Sequence, residues 1–207
     1  MKKLETIRKY YESKMGKGLP DYGVLGWESR EAQDLRFEIL LSAVEPEGKT
    51  LLDIGCGMGN LFQFLRSRKL NVAYTGVDIL ESMVEQAKLK NPGAEIYHAD
   101  IFKNNIFTGR TFDFIYASGI FNIDLGNNSE FLCRALELML DLSGEAVVFN
   151  LLHRDSPDRE AGYSYFHPDD VRSMVECMQE KVGRLEIIEN YLHNDFTVVC
   201  YKAPATL

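Results

Sequence analysis

The stretch Leu51-Leu52-Asp53-Ile54-Gly55-Cys56-Gly57-Met58-Gly59-Asn60 constrains this 207-residue chain more than any other. An apolar run of strand character passes into three glycines at alternate positions, and a helical pattern through Leu61, Phe62, Phe64 and Leu65 follows. Glycine permits the tight strand-to-helix turn and lets a ligand approach bare backbone. The start of the next helix offers free N–H groups and a partial positive charge suited to a carboxylate or a phosphate. Taken alone, such a turn fits a plain tight turn as well as a ligand site. The dinucleotide fingerprint spaces its glycines G-x-G-x-x-G, whereas here the spacing is G-x-G-x-G with Asn60 next. Asp53, two residues before the first glycine, would repel a pyrophosphate but accept from an amine. No G-x-x-x-x-G-K-[ST] loop occurs, which argues against a P-loop nucleotidase.

From Lys49 onward, short β-rich runs alternate with helical patterns, as in βαβ units around a parallel sheet. Strands are expected at 50–54, 72–78, 94–98, 111–117 and 146–152, with helices over 81–90 and 169–181. Asn91-Pro92-Gly93 stops the first of these helices, and His167-Pro168 opens the second. Asn127 with Glu130 three residues on reads as a helix cap for the apolar pattern Phe131 to Leu142. The runs 185–192 and 196–201 are separated only by His193-Asn194-Asp195, which requires an antiparallel hairpin. Before Lys49 lie a polar, tyrosine-bearing helix (3–14) and an amphipathic one (29–44) whose core face reads Ala32, Leu35, Ile39, Leu40 and Ala43. The expected organisation is an N-terminal helical lid or extension over 1–48 and a ligand-binding α/β domain over 49–207, together one structural unit.

The net charge of −8, with Lys and Arg scattered, weighs against a nucleic-acid partner, which calls for a basic face. Cys56, Cys133, Cys177 and Cys200 are far apart and form no C-x-x-C pair; Cys133, Cys177 and Cys200 sit in apolar stretches, where buried thiols are expected. The charged opening Met1–Glu12 does not resemble a signal peptide, and no apolar run approaches membrane-spanning length. A cytoplasmic location and no membrane partner follow as expectations.

The glycine turn resembles the first motif of class I S-adenosylmethionine-dependent methyltransferases, and 49–202 as a whole is similar to that family. Later landmarks appear in order. Asp78, ending Gly76-Val77-Asp78, matches the acidic residue that holds the ribose hydroxyls, because a carboxylate accepts from both groups of a diol. Asp100 in Ala99-Asp100-Ile101 matches the residue that accepts from the adenine amino group, with Ile101 against the ring. Phe112 to Ser118 resembles the fourth motif, and the terminal hairpin matches the family's reversed last strand. The resemblance implies a three-layer Rossmann-like α/β sheet of seven strands, mostly parallel, with S-adenosyl-L-methionine as cofactor. The candidate cofactor set is Asp53, Gly55, Cys56, Gly57, Gly59, Asp78, Ile79, Met83, Asp100, Ile101, Ala117 and Ser118, joined by Trp27 and Arg36 from the extension.

The implied reaction is displacement of a methyl group from a sulfonium. The cofactor supplies the reactivity and the protein supplies alignment. No His/Cys/Asp group shows metal-ligand spacing, so no metal is expected. Ligands of open α/β sheets sit at the carboxyl ends of the strands, which selects Ser118 to Asn122, His153-Arg154 and His193-Asn194-Asp195 as acceptor-side candidates. His153 is a candidate base by position and intrinsic pKa, against the plainer reading of an exposed loop histidine. Tyr11 is a second candidate. Tyr10, Tyr11, Tyr22 and Trp27 are aromatics in a polar extension, and aromatic faces favour a nearby sulfonium. Ser29, Gln33 and Arg36 share one helix face; Arg36 is expected either to clamp the methionine carboxylate or to lie on a solvated polar face. No Asn/Asp-Pro-Pro-aromatic motif follows the fourth strand and no paired-glutamate loop is found, so a small-molecule acceptor is favoured over nucleic acid or protein arginine. A methyltransferase-like module that binds cofactor or partner without turnover is the alternative, with a nicotinamide oxidoreductase a distant third.

Overall fold

Near-continuous apolar runs in the central strands bury both faces of the sheet. The computed structural model describes residues 2–204. Seven strands form one sheet in the order β3–β2–β1–β4–β5–β7–β6. They are β1 (Thr50–Ile54), β2 (Ala73–Asp78), β3 (Glu95–His98), β4 (Phe112–Ala117), β5 (Ser143–Leu152), β6 (Val182–Ile188) and β7 (Asp195–Lys202). β1 to β5 are mutually parallel, while β7 runs antiparallel between β5 and β6. The helices are α1 (Lys2–Glu12), α2 (Asp21–Leu25), α3 (Arg30–Ala43), α4 (Asn60–Ser67), α5 (Glu81–Lys90), α6 (Asn128–Leu142) and α7 (Pro168–Glu176).

Successive strand residues point to opposite faces. Leu52, Ile115, Val147 and Val198 therefore pack with Leu132, Leu136 and Met139 of α6 and Val171 and Val175 of α7. Their neighbours Leu51, Phe114, Val148 and Val199 pack on the other face with Phe37 and Leu40 of α3 and Leu61, Phe64 and Leu65 of α4. This is the expected three-layer Rossmann-like sheet with its reversed last strand. A separate apolar group lies over the strand ends: Leu4, Ile7 and Tyr11 of α1 and Val24 and Leu25 of α2 pack on Met58, Leu80 and Met83. The N-terminal helices are thereby brought above the glycine turn.

Several local expectations are revised. α2 was not foreseen; five residues between glycines are too short to show a helical period. α7 ends at Glu176 rather than 181, because Met178 turns inward and Val182 already begins β6. The β6–β7 connection spans six residues, 189–194, rather than three. Its backbone and side chains leave the ladder for other partners: the Asn194 carbonyl accepts from His153 N, and Asn194 Nδ2 donates to Glu28. Asn127 is the N-cap of α6 but makes no side-chain cap bond; Asn128 instead braces the preceding loop, donating to Phe121 O and Ile123 O. The buried face of α3 is Ala32, Gln33, Arg36, Phe37 and Leu40, so two polar residues replace the expected Leu35 and Ile39. Cys56 and Cys200 are buried, Cys133 is half-buried, and Cys177 is exposed just past α7.

Candidate active site

The site grows from the end of β1. Gly55 N and Cys56 N both donate to Val77 O, at 2.8 and 3.1 Å, which folds the chain sharply against β2. Gly55 and Gly57 have φ of 76° and 54°, a region that side-chain-bearing residues rarely adopt. Space is short as well: a Cβ on Gly57 would stand 2.7 Å from Leu25 Cδ2. Gly59, with φ 77°, is the N-cap of α4. The turn therefore needs glycine both for its backbone and for the α2 residue resting on it.

Two carboxylates flank this turn. Asp53 is 4% exposed, and the Tyr74 hydroxyl donates to it at 2.7 Å. Burial pushes its pKa up to about 7 against that hydrogen bond, and the Asp78 charge adds to the rise. Asp78 accepts from Gly57 N and Leu80 N, both at 2.9 Å. Burial raises its pKa too, opposed by those backbone donors. A buried carboxylate with a single hydroxyl donor has lone pairs ready for a further donor. Nothing in that arrangement suits an anion.

Two adjoining cavities open at the carboxyl ends of β1, β2 and β4, sharing Ile7, Gly55, Ile79, Ile120 and Leu125 in their walls. The first, of about 860 Å³, is bounded by Asp53, Gly55, Cys56, Gly57, Asp78 and Met83 on the sheet side. Tyr11, Leu25, Trp27 and Gln33 bound it from the N-terminal helices, and Ser118, Gly119 and Ile120 from the loop after β4. The second, of about 1570 Å³, holds Asp100 and Ile101, with Leu4 and Phe131 among its walls. Most sequence candidates thus converge on one region.

Others are placed elsewhere. Gly59 and Ala117 line neither cavity; Ala117 is fully buried at the end of β4. Arg36 is buried behind the wall, paired with Asp195 rather than free to meet a ligand. His153 also lies outside both cavities. Its Nδ1 accepts from Asp155 N, its Nε2 is 3.2 Å from Glu189, and its ring packs on Phe196. Tyr11 lines the first cavity, but burial raises its pKa far above neutrality, so the phenol stays protonated. Tyr10 turns away and joins its hydroxyl to that of Tyr163.

Asn60 and Gln33 are the residues sequence reasoning underused. Both Nδ2 and Oδ1 of Asn60 and Oε1 of Gln33 are buried without a hydrogen-bond partner among the described residues, and both residues line the first cavity. Leaving such groups unsatisfied costs on the order of 1–3 kcal/mol each, so their place is beside a polar ligand. A donor-hungry Asp53, an amide at the start of α4 and a second amide from α3 together suit a zwitterion carrying both an ammonium and a carboxylate. This fits the methionine end of S-adenosylmethionine. Among the described residues no group of three or more His, Cys, Asp or Glu is arranged to hold a metal ion, and no helix is long and apolar enough to cross a membrane.

Fold and site together define a Rossmann-like methyltransferase. A family model described as a methyltransferase domain matches residues 51–142, from β1 through α6. A Mycobacterium tuberculosis protein named as a methyltransferase, with no acceptor in its name, is 28% identical over 168 residues, covering 79% of this chain and 98% of that one. Magnesium protoporphyrin IX methyltransferase from Synechocystis, solved with bound S-adenosylhomocysteine, superposes with a TM-score of 0.70 at 12% identity, covering 98% of this chain and all of that one. The N-methyltransferase NodS from Bradyrhizobium japonicum, also in complex with S-adenosylhomocysteine, superposes with a TM-score of 0.66 at 15% identity, covering 95% and 100%. The chain thus carries a methyltransferase domain over residues 51–142 and shares its overall fold with S-adenosylmethionine-dependent methyltransferases. The matched domain and the Mycobacterium relative are both named for methyl transfer, and the solved neighbours hold S-adenosylhomocysteine or S-adenosylmethionine.

Proposed function

We propose that this methyltransferase modifies a small molecule held beneath its N-terminal helices. The observation that carries the proposal is the roof over the first cavity. Ile7 and Tyr11 of α1, Leu25 of α2 and Trp27 cover the glycine turn and face the loop after β4. A roof of that kind leaves room for a compact acceptor and keeps a folded macromolecule away from the cofactor. The fold shared with an enzyme named for magnesium protoporphyrin IX supports the same reading. Residues 1–48 then serve as a lid, and four cysteines without a disulfide suit a reducing, cytoplasmic location.

In this reading the bound cofactor supplies an activated methyl group on a sulfonium. Asp53 accepts from the ammonium of the methionine moiety, while Asn60, Gln33 and the turn at Gly55, Cys56 and Gly57 surround its polar end. Asp78, fixed by Gly57 N and Leu80 N, takes the ribose hydroxyls. Ile79, Met83 and Ile101 pack beside the sugar and base, and Asp100 accepts from the adenine amine. Ala117 and Ser118 carry the chain past the reacting centre. Trp27 and Tyr11 present aromatic faces toward a cation and exclude water. With Tyr11 protonated and His153 turned away, the acceptor's nucleophile enters with its lone pair free.

Labelled methyl groups test this. Incubation with methyl-labelled S-adenosylmethionine and separated low-mass metabolite, RNA and protein fractions is expected to transfer label to the low-mass fraction. Label confined to RNA or protein would contradict a small-molecule acceptor.

A further inference from the structure

Behind the cavity wall lies a closed ring of contacts that the cofactor site does not use. Arg36 on α3, Asn150 on β5 and Asp195 at the start of β7 are each no more than 4% exposed. Arg36 Nε pairs with Asp195 Oδ2, and its Nη1 donates to Ala32 O at 2.6 Å. Asn150 Nδ2 donates to the same Asp195 oxygen at 2.8 Å, and Asn150 Oδ1 accepts from Gly119 N at 3.1 Å. The Arg36 guanidinium lies over the Trp27 ring, 4.1 Å from its centroid. Trp27 closes the circuit, because its edge abuts Gly119 so tightly that a Cβ there would stand 3.0 Å from Cη2. Only Trp27 and Gly119 of these five residues face the cavity.

We infer that Arg36, Asp195 and Asn150 are positioning residues that set the Trp27 ring and the Gly119 turn as one rigid acceptor-side wall. A buried ion pair is a weak device for stability, since apolar residues of similar volume often serve as well or better. This pair nevertheless reaches two cavity elements, the Trp27 ring directly and Gly119 through Asn150. The guanidinium carbon stands 4.1 Å from the indole centroid, where a planar guanidinium can stack on an aromatic ring as a compact ammonium cannot. Asn150 relays the same carboxylate to the backbone N–H of a glycine in the left-handed region, φ 79°. Two segments far apart in sequence, the start of α3 and the loop after β4, are thereby held to one carboxylate. The inference rests on the methyl-transfer reading only for what the wall faces.

Trp27 is the single tryptophan of the chain, so intrinsic fluorescence reports this wall directly. The test is the double variant Arg36→Met with Asp195→Asn, which removes both charges together and keeps the volume and the Asn150 contact. It is expected to melt close to the wild type. Acrylamide quenching of Trp27 is expected to rise about twofold as the ring loses its cationic partner, and quenching by S-adenosylhomocysteine to fall in parallel. A folded double variant with wild-type emission and quenching would overturn the inference. Should that variant not fold, Arg36→Lys carries the same test, because it keeps the charge and loses the planar face. Increased Trp27 quenching is expected there too, and wild-type values would overturn the inference equally. Failure of the wild type to bind S-adenosylhomocysteine would sink the cofactor site instead, and the acrylamide measurement would still decide the wall.

Discussion

Asp53→Asn is expected to make the protein more stable above pH 7 and to weaken its hold on S-adenosylmethionine. Both effects follow from one buried carboxyl. Its pKa rises from the ordinary 3.8 to about 7 through burial, with the Tyr74 hydroxyl as its one side-chain donor among the described residues. The folded protein therefore holds this proton more tightly than the unfolded chain does. Its contribution to stability is complete below pH 3.8 and is lost as pH rises through about 7. Asparagine is isosteric, still accepts from Tyr74 and carries no charge to desolvate. Thermal melts at pH 5 and pH 8 are expected to show the variant gaining on the wild type at the higher pH. Cofactor affinity moves the other way. A charge-assisted hydrogen bond to an ammonium contributes about 1.5–3 kcal/mol, so binding is expected to weaken roughly ten- to a hundredfold. A variant that loses stability and keeps its affinity would show that Asp53 serves the core rather than the ligand.

The second large effect is at Arg36. Replacement by alanine strands Asp195 without its cation, and breaking a buried pair from one side costs about 3–5 kcal/mol. For a chain of this size that is a fall in melting temperature of roughly 6–20 °C. The deficit carries a pH signature. Burial raises the Asp195 pKa and Arg36 lowers it, so removing the arginine lets the carboxyl keep its proton to higher pH. The alanine variant is expected to lie nearest the wild type in acid and to fall away as pH rises. Adding Asp195→Asn is expected to recover most of the loss. A melting temperature unmoved by Arg36→Ala would contradict the buried pairing.

Arg36 also marks where sequence reasoning reaches its boundary. The glycine turn, its flanking strands and α5 were legible almost residue by residue, because turn chemistry and strand alternation are local signals. Asp53 stood out beside the glycines, whereas Asp78 and Asp100 were singled out through the family resemblance; the fold places Asp53 and Asp78 on the first cavity and Asp100 on the second. The face of α3 was not. Periodicity favoured Leu35 and Ile39, yet the helix buries Gln33 and Arg36, because the partner that neutralises Arg36 lies 159 positions further on. No window of sequence contains both. His153 followed from strand-end logic, but the connection before β7 supplies Glu189 and Asn194, which turn the histidine and its backbone away from the cavity. Asn60 was visible as the residue after the third glycine. Its meaning came only from burial, which left its amide without a partner.

The proposed role of Asp53 and the glycine turn is to receive the amino-acid end of S-adenosylmethionine. Calorimetric titration with that cofactor at pH 6.5, in two buffers of different ionisation enthalpy and with NAD as control, tests it most directly. With a pKa of about 7 in the free protein, Asp53 is mostly protonated at that pH. An arriving ammonium is expected to expel more than roughly half a proton per site. Micromolar binding of S-adenosylmethionine, none of NAD, and a buffer-dependent heat that disappears in Asp53→Asn are expected. Absence of binding, equal binding of NAD, or heat independent of buffer in the wild type would contradict it.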